Sequence, residues 1–223
     1  EVFLEGITPS ALEFIERDAI DWTLRYSDIE MQISDKVKAH LLVEVDGYDI
    51  DLLFKDCEKI ANVMQRFDCG EILLADSKSQ KEQLWKIRRL VGEAVKANSI
   101  YKEEDTVVPR AELAKLLKGV KEIGGKYGFK SVCYGHAGDG NLHVNIIKGE
   151  MSDKDWNSKL TLGIRAIFEL TKQLGGTISG EHGIGFVQKG YIDIVLSKQN
   201  IEIQKGIKKL FDPNQILNPG KIF

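Results

Sequence analysis

The chain has 223 residues, of which 43% are hydrophobic and 29% charged, an ordinary composition for a soluble globular protein with enough chain to bury a core. A formal net charge of −3 gives no support to nucleic acid or an anionic membrane surface as a partner. No apolar run approaches the ~18–20 residues of a membrane-spanning helix, and nothing at the start resembles a signal peptide. The three cysteines, Cys57, Cys69 and Cys133, are an odd count without CxxC spacing, so no disulfide framework is expected and a reducing cytoplasm is the default compartment.

Glu1 to Leu4 reads as a short strand. Thr8-Pro9 reads as an N-cap and first helical position, opening a helix with Leu12, Ile15, Ala19 and Trp22 on its apolar side. From Lys38 to Gly47 the pattern alternates, with Leu41, Val43 and Val45 on one face and His40, Leu42 and Glu44 on the other. That is a half-buried strand with His40 facing solvent. A helix from about Asp49 to Phe67 carries Leu53, Cys57, Ile60, Met64 and Phe67 at helical spacing, and a strand is expected over Glu71 to Ala75. The next helix, capped by Ser77, has the stripe Leu84, Ile87, Val91 and Val95, with Arg88 lying in it. An arginine on a core-facing line needs a carboxylate. That partner is either another element of the fold or a substrate held by the planar fork. Arg89 points elsewhere, into solvent.

Tyr101 to Arg110 reads as a polar connection running into a short β-like piece that ends at Pro109. A helix from Ala111 to about Lys126 ends among Gly124, Gly125 and Gly128, and a hairpin begins at Phe129. Ser152-x-x-Asp155 caps a long helix with Trp156, Leu160, Ile164, Ile167, Thr171 and Leu174 inward, stopped by Gly175-Gly176. A last amphipathic helix runs from about Ser197 to Leu210, and Asn218-Pro219-Gly220 has the residues of a type II turn. Strands interleaved with helices, joined partly by a hairpin, predict an α+β fold: a mainly antiparallel sheet covered by helices.

The chemistry concentrates in Tyr134 to Asn145, YGHAGDGNLHVN. With Asp139-Gly140 as a two-residue hairpin loop, His136 faces His143 and Tyr134 faces Asn145. Leu142, Val144 and Ile146 take the other, core face, and Cys133 also falls opposite Tyr134 and His136. Directly opposed Cβ atoms lie ~4.5–5.5 Å apart, close enough for two imidazoles to share an ion. A second patch, Ser179 to Gly185, places Glu181 beside His182 on a glycine-rich backbone. His136, His143 and Glu181 make a three-ligand N/O set with an open position, as in catalytic zinc sites, and leave His182 to act as a base. No Walker A, GxGxxG, GxSxG, HExxH or EF-hand pattern occurs.

GHAGDGNLHVN, GEHGIG and the closing FDPNQILNPGK, together with SALEFIERDAIDW, LWKIRR and DTVVPR, resemble the C-terminal domain of FAD-linked 2-hydroxy-acid dehydrogenases of the vanillyl-alcohol-oxidase superfamily. That group includes D-lactate dehydrogenases and the flavoprotein component of glycolate oxidase, and the similarity spans essentially the whole chain. The resemblance implies a ferredoxin-like cap domain over residues 1–194 that binds substrate. It also implies a C-terminal helix and tail, 195–223, packed toward an N-terminal FAD domain of the same polypeptide. His136, His143 and Glu181 match the family's divalent-metal ligands, zinc by preference, and His182 matches its general base. Asn145 matches a substrate-contacting asparagine and Arg88 the clamp on the substrate carboxylate. Asn218 resembles a residue of a segment lining the flavin. Some members place a lysine just before DxxxP, where this chain has Glu103, with Lys102 one residue early. A glutamate there argues against a dicarboxylic substrate such as 2-hydroxyglutarate, and Lys102 is the candidate substitute.

The implied activity is oxidation of a D-lactate- or glycolate-type 2-hydroxy acid to the 2-oxo acid by hydride transfer to FAD, for an unidentified electron acceptor. Alone, the chain is expected to lack redox activity, since nothing in it holds FAD. The rivals are a flavin-independent metallohydrolase using the same metal to activate water, and a non-catalytic metal-binding module.

Overall fold

A computed structural model describes residues 1–29, 31 and 33–223. In chain order the elements are β1 (Ala11–Glu16), α1 (Arg17–Tyr26), β2 (Ala39–Glu44), α2 (Ile50–Gln65), α3 (Lys78–Asn98), β3 (Tyr101–Val107), α4 (Leu113–Tyr127), β4 (Lys130–His136), β5 (Asn141–Ile147), α5 (Asp153–Gln173), α6 (Ile192–Val195) and α7 (Lys198–Phe211). The strands hydrogen-bond in the order β2-β1-β4-β5-β3, an antiparallel sheet in the expected α+β fold. The chain divides into two compact units, Glu1–Ser99 with Val132–Gly138, and Ile100–Ser131 with Asp139–Phe223.

In the first unit, β1 pairs antiparallel with β2 and with β4, so that Glu13 stands opposite both Leu42 and His136. Helix α1 packs on α3, burying Ala19 and Ile20 of the one and Ile87, Val91 and Val95 of the other. Each such aliphatic side chain contributes about 1.5–3 kcal/mol relative to exposure. Val2, Ile7, Ile60 and Val63 form a smaller cluster with Val43, Val45 and Met64. Asp49 caps α2 through its carboxylate, and Ser77 with Gln80 forms a reciprocal capping box on α3, both at the residues where the sequence placed those helix starts.

Several local expectations for this unit are corrected. Residues 11–16 are a strand, and the helix begins only at Arg17. The apolar spacing of Leu12 and Ile15 suits a helix, but ladders on both sides of β1 override that local preference. Val2–Glu5 is a short 3-10 turn rather than a strand, closed by Gly6 in the left-handed conformation at φ 77°. Residues 71–75 join none of the five strands, and Ile72, Leu73 and Leu74 are exposed. His40, expected in solvent, is half-buried opposite Ile15. Burial first, and then the nearby Arg17 charge, hold its imidazole below the ordinary range.

In the second unit, β3 and β5 pair in register from Tyr101 opposite Ile147 to Val107 opposite Asn141. The run that reads as a polar connection is therefore a full strand. Its buried polar groups are satisfied within the fold: Thr106 Oγ1 donates to Leu142 O at 2.9 Å, and Gln188 Nε2 to Glu104 Oε2 at 3.0 Å. Helix α4 packs on α5, ends at Gly128 with φ 85°, and α5 begins at the Ser152 cap. Asn218-Pro219-Gly220 turns as expected, with Gly220 at φ 72° and Lys221 N donating to Asn218 O.

The expected two-residue loop at Asp139-Gly140 is a four-residue turn, 137–140, with positive φ at Gly140 but not at Asp139. A type I′ loop needs positive φ at both positions. Gly140 is also pressed onto the chain after β3: a Cβ there would lie 1.9 Å from Val108 O. Among the described residues, no helix is long and apolar enough to cross a membrane.

Candidate functional site

The Glu181-His182 loop is held in place by one carboxylate. Asp105 Oδ2 accepts from the backbone N–H groups of Gly180, Glu181 and His182 at 2.9, 2.8 and 2.9 Å, and from Ser179 Oγ at 3.3 Å. Its other oxygen accepts from Asn141 Nδ2 at 2.5 Å. Successive amides converging on one anion make a nest, which suits this glycine-rich backbone. Gly180 is required there, because a Cβ would come within 2.2 Å of Asn141 Nδ2 and 2.6 Å of Val107 Cγ2. Burial by itself pushes the Asp105 carboxyl upward. The amides of His182 and Glu181, the Asn141 side chain and the His182 charge outweigh it and hold the group below the usual range.

Alternation along β3 and β5 gathers the chemistry on one face. Asp105 stands opposite His143, Glu103 opposite Asn145, and Val107 opposite Asn141. His143 is only 6% exposed, with Nδ1 3.9 Å from Glu103 and 4.0 Å from Asp105, and Nε2 3.4 Å from Glu181 Oε1. The His182 ring stacks on His143 with centroids 5.4 Å apart and planes at 22°. Glu181 and His182 are half exposed. Burial chiefly pushes the Glu103 carboxyl up; Asp105 and Glu104 add to this, while His182 and Lys102 oppose it.

The donor set fits a divalent cation. Glu103, His143 and His182 each offer a ligand atom, all within 4.8 Å of one another, and Glu181 adds a further carboxylate beside His143. Imidazole nitrogens with carboxylate oxygens suit zinc and its neighbours in the first transition row.

The first unit holds a second constellation. Arg88 Nε donates to Glu13 Oε2 at 2.7 Å, and its guanidinium lies 4.7 Å from the Tyr134 ring centroid. His136 Nδ1 lies 2.8 Å from the other Glu13 oxygen. The carboxylate that the stripe position of Arg88 demands is thus supplied by the fold. Arg89 pairs with Glu82 at the surface, as its position implied.

Lys102 is not brought to the site. It stands opposite Ile146 on the core face, one residue out of phase with Glu103, and its Nζ reaches Glu104 Oε1 at 3.0 Å. Its candidacy as a substrate ligand is corrected by that alternation. Asn145 is buried on the His143 face, and Asn218 is exposed in the C-terminal turn with φ 46°. Sequence reasoning missed Asp105 and Glu13 altogether. A carboxylate two residues along the strand from Glu103 was the available signal for Asp105, and Glu13 had none beyond being an acid among apolar neighbours.

An antiparallel sheet carrying such a cluster on one face has clear structural counterparts. p-Cresol methylhydroxylase aligns with TM-score 0.60 at 12% identity, over 95% of this chain and 46% of that one. 4-Ethylphenol oxidase from Gulosibacter chungangensis aligns with TM-score 0.60 at 15% identity, over 95% and 47%. Identities that low establish a shared fold. The family described as "FAD linked oxidases, C-terminal domain" matches residues 1–222, and the chain belongs to it. Similar curated proteins include the glycolate oxidase component GlcD of Bacillus subtilis (34% identical, 100% of this chain and 47% of that protein) and D-lactate dehydrogenase of Anaerostipes hadrus (31%, 100% and 48%). D-2-hydroxyglutarate dehydrogenase of Stutzerimonas stutzeri is 30% identical over 99% of this chain and 48% of its own length. The chain spans about half the length of the curated relatives it matches.

Proposed function

We propose that this chain is the substrate- and metal-binding half of an FAD-dependent dehydrogenase that converts a 2-hydroxy acid of the D-lactate or glycolate type to its 2-oxo acid. The observation that carries the reading is the Asp105 nest, which holds Glu181 and His182 against His143 in a member of this family. His143 and Glu181, with His136 at the end of the strand before the hairpin turn, hold a divalent cation, preferably zinc. When bound, the cation supplies a Lewis-acid centre that makes a coordinated hydroxyl more acidic, and FAD supplies the redox chemistry.

The remaining roles fall to the chain's own side chains. Arg88 binds the substrate carboxylate through the guanidinium nitrogens other than Nε, which Glu13 occupies. Asn145 binds substrate from the His143 face. His182 accepts the hydroxyl proton on its half-exposed imidazole, a contribution of ~10²–10⁴-fold for a positioned general base. Glu103, on the same sheet face as His143 and Asn145, disfavours a second substrate carboxylate and selects monocarboxylic hydroxy acids. Residues 195–223 pack against the FAD domain, with Asn218 toward the flavin. The exposed Ile203, Ile207 and Leu210 of α7, with Ile216 and Leu217 beyond it, are an apolar surface suited to that contact.

The test joins the chain to an FAD domain and measures oxidation of D-lactate, glycolate and malate. The expected result is metal-dependent turnover of the monocarboxylates that His182→Ala abolishes while metal content stays unchanged. Full turnover in His182→Ala removes the base assignment, and absence of turnover with every hydroxy acid contradicts the function.

A further inference from the structure

The Glu13 carboxylate is divided between two side chains. One oxygen accepts from Arg88 Nε at 2.7 Å, and the other lies 2.8 Å from His136 Nδ1. Glu13 and Arg88 are 5% and 12% exposed, so the arrangement is shielded from water. Register sets it: Glu13 stands directly opposite His136 in the β1–β4 ladder, and no long flexible arm is involved. The Tyr134 ring lies under the guanidinium at 4.7 Å and fixes its plane from another side.

An ionised carboxylate has only acceptor atoms, so the nitrogen facing it must carry the hydrogen. A neutral imidazole that donates from Nδ1 has its lone pair on Nε2 and gains basicity there. A guanidinium held at Nε by a carboxylate and against an aromatic face presents its outer nitrogens in one direction. A pair that served packing alone would need one donor and one acceptor. Here the second oxygen engages the histidine whose tautomer decides whether it can act as a ligand.

We propose that Glu13 is a positioning residue for this site: it fixes His136 as the Nδ1–H tautomer and orients the Arg88 guanidinium. The inference rests on the reading of His136 as a metal ligand and Arg88 as a carboxylate clamp, and it deepens that reading.

Long-range ¹H–¹⁵N correlation spectra of this chain, labelled at histidine and recorded metal-free at pH 8, test it directly. The expected wild-type spectrum shows His136 as the Nδ1–H tautomer; an Nε2–H tautomer overturns the proposal even if every variant fails to fold. In Glu13→Gln one of the two donors loses its oxygen, so the Nε2–H form should gain population, and Glu13→Asp should restore the wild-type pattern in part. Zn²⁺ alone, titrated calorimetrically, should bind Glu13→Gln about 10–100-fold more weakly than wild type. Equal affinity and an unchanged tautomer in Glu13→Gln overturn the positioning role. A wild-type chain that shows the Nδ1–H tautomer yet binds no Zn²⁺ refutes the metal reading and leaves the tautomer claim standing, so the two failures are distinguishable.

Discussion

Asp105 and Glu181 lie 76 residues apart in the chain, yet the Glu181 amide donates to the Asp105 carboxylate at 2.8 Å, between like bonds from Gly180 and His182. The strand residue therefore fixes the loop that carries an acid and an imidazole, and the loop's chemistry depends on an anion that is itself buried.

Removing that anion leaves three amides without their acceptor. Asp105→Ala is expected to lower stability by about 2–4 kcal/mol, given ~1–3 kcal/mol per group left unsatisfied and partial rescue by water. In a chain of this length that is a fall of roughly 5–15 °C in Tm, read by thermal melting. A melting point equal to wild type would show that the nest does not hold the loop.

Gly180→Ala tests the same contact from the loop side. Its Cβ would collide with Asn141 and Val107, so the loop must lift away from β3. The expected variant is folded by circular dichroism and binds Zn²⁺ at least tenfold more weakly, because the Glu181 carboxylate is displaced. Wild-type affinity would mean that the loop position is irrelevant to metal binding.

The two acids on this face should titrate in opposite senses. Asp105 has a depressed folded pKa, so its stabilisation is present above its unfolded value of ~3.9 and is lost as pH falls through the folded value. Glu103 has a raised folded pKa, so its favourable contribution is present below ~4.3 and is lost as pH rises through the folded value. In metal-free protein, Glu103→Gln should therefore gain stability over wild type as pH rises through that window and keep the gain at neutral pH. Melting curves from pH 4 to 7 measure it, and a difference independent of pH would contradict the assigned environment of Glu103.

Lys102 should matter for stability and not for substrate. Lys102→Ala takes the cation from the buried Glu104 carboxylate, at a cost of ~2–3 kcal/mol, below the usual range for a fully buried pair because Gln188 still donates to Glu104. In the enzyme with its FAD domain, KM for the hydroxy acid should stay within about twofold of wild type, by the opposite-face placement. A large rise in KM would return Lys102 to the site.

The helices whose ends are written in local chemistry were legible in the sequence. Ser77, Ser152 and Ser197 cap α3, α5 and α7, and Gly128 closes α4 in the left-handed conformation. Strands β1 and β3 were not, because their state is set by partners elsewhere in the chain and their polar residues are neutralised by groups no local pattern reveals. Glu13 finds Arg88 and His136, Glu104 finds Lys102 and Gln188, and Asp105 finds an entire loop. Of the site, His143, Glu181 and His182 were singled out by their glycine-rich surroundings and are brought together. The hairpin loop was misjudged because an Asp-Gly pair also fits a longer turn in which only the glycine needs positive φ.

The central claim is that one ion joins His136, His143 and Glu181. Anomalous diffraction at the zinc edge, from zinc-loaded crystals of the chain with its FAD domain, measures this most directly. The expected result is a single peak about 2.0–2.2 Å from an imidazole nitrogen of each histidine and a carboxylate oxygen of Glu181. A peak bonded instead to Glu103 and His182, or no peak in protein that turns over a hydroxy acid, would contradict it.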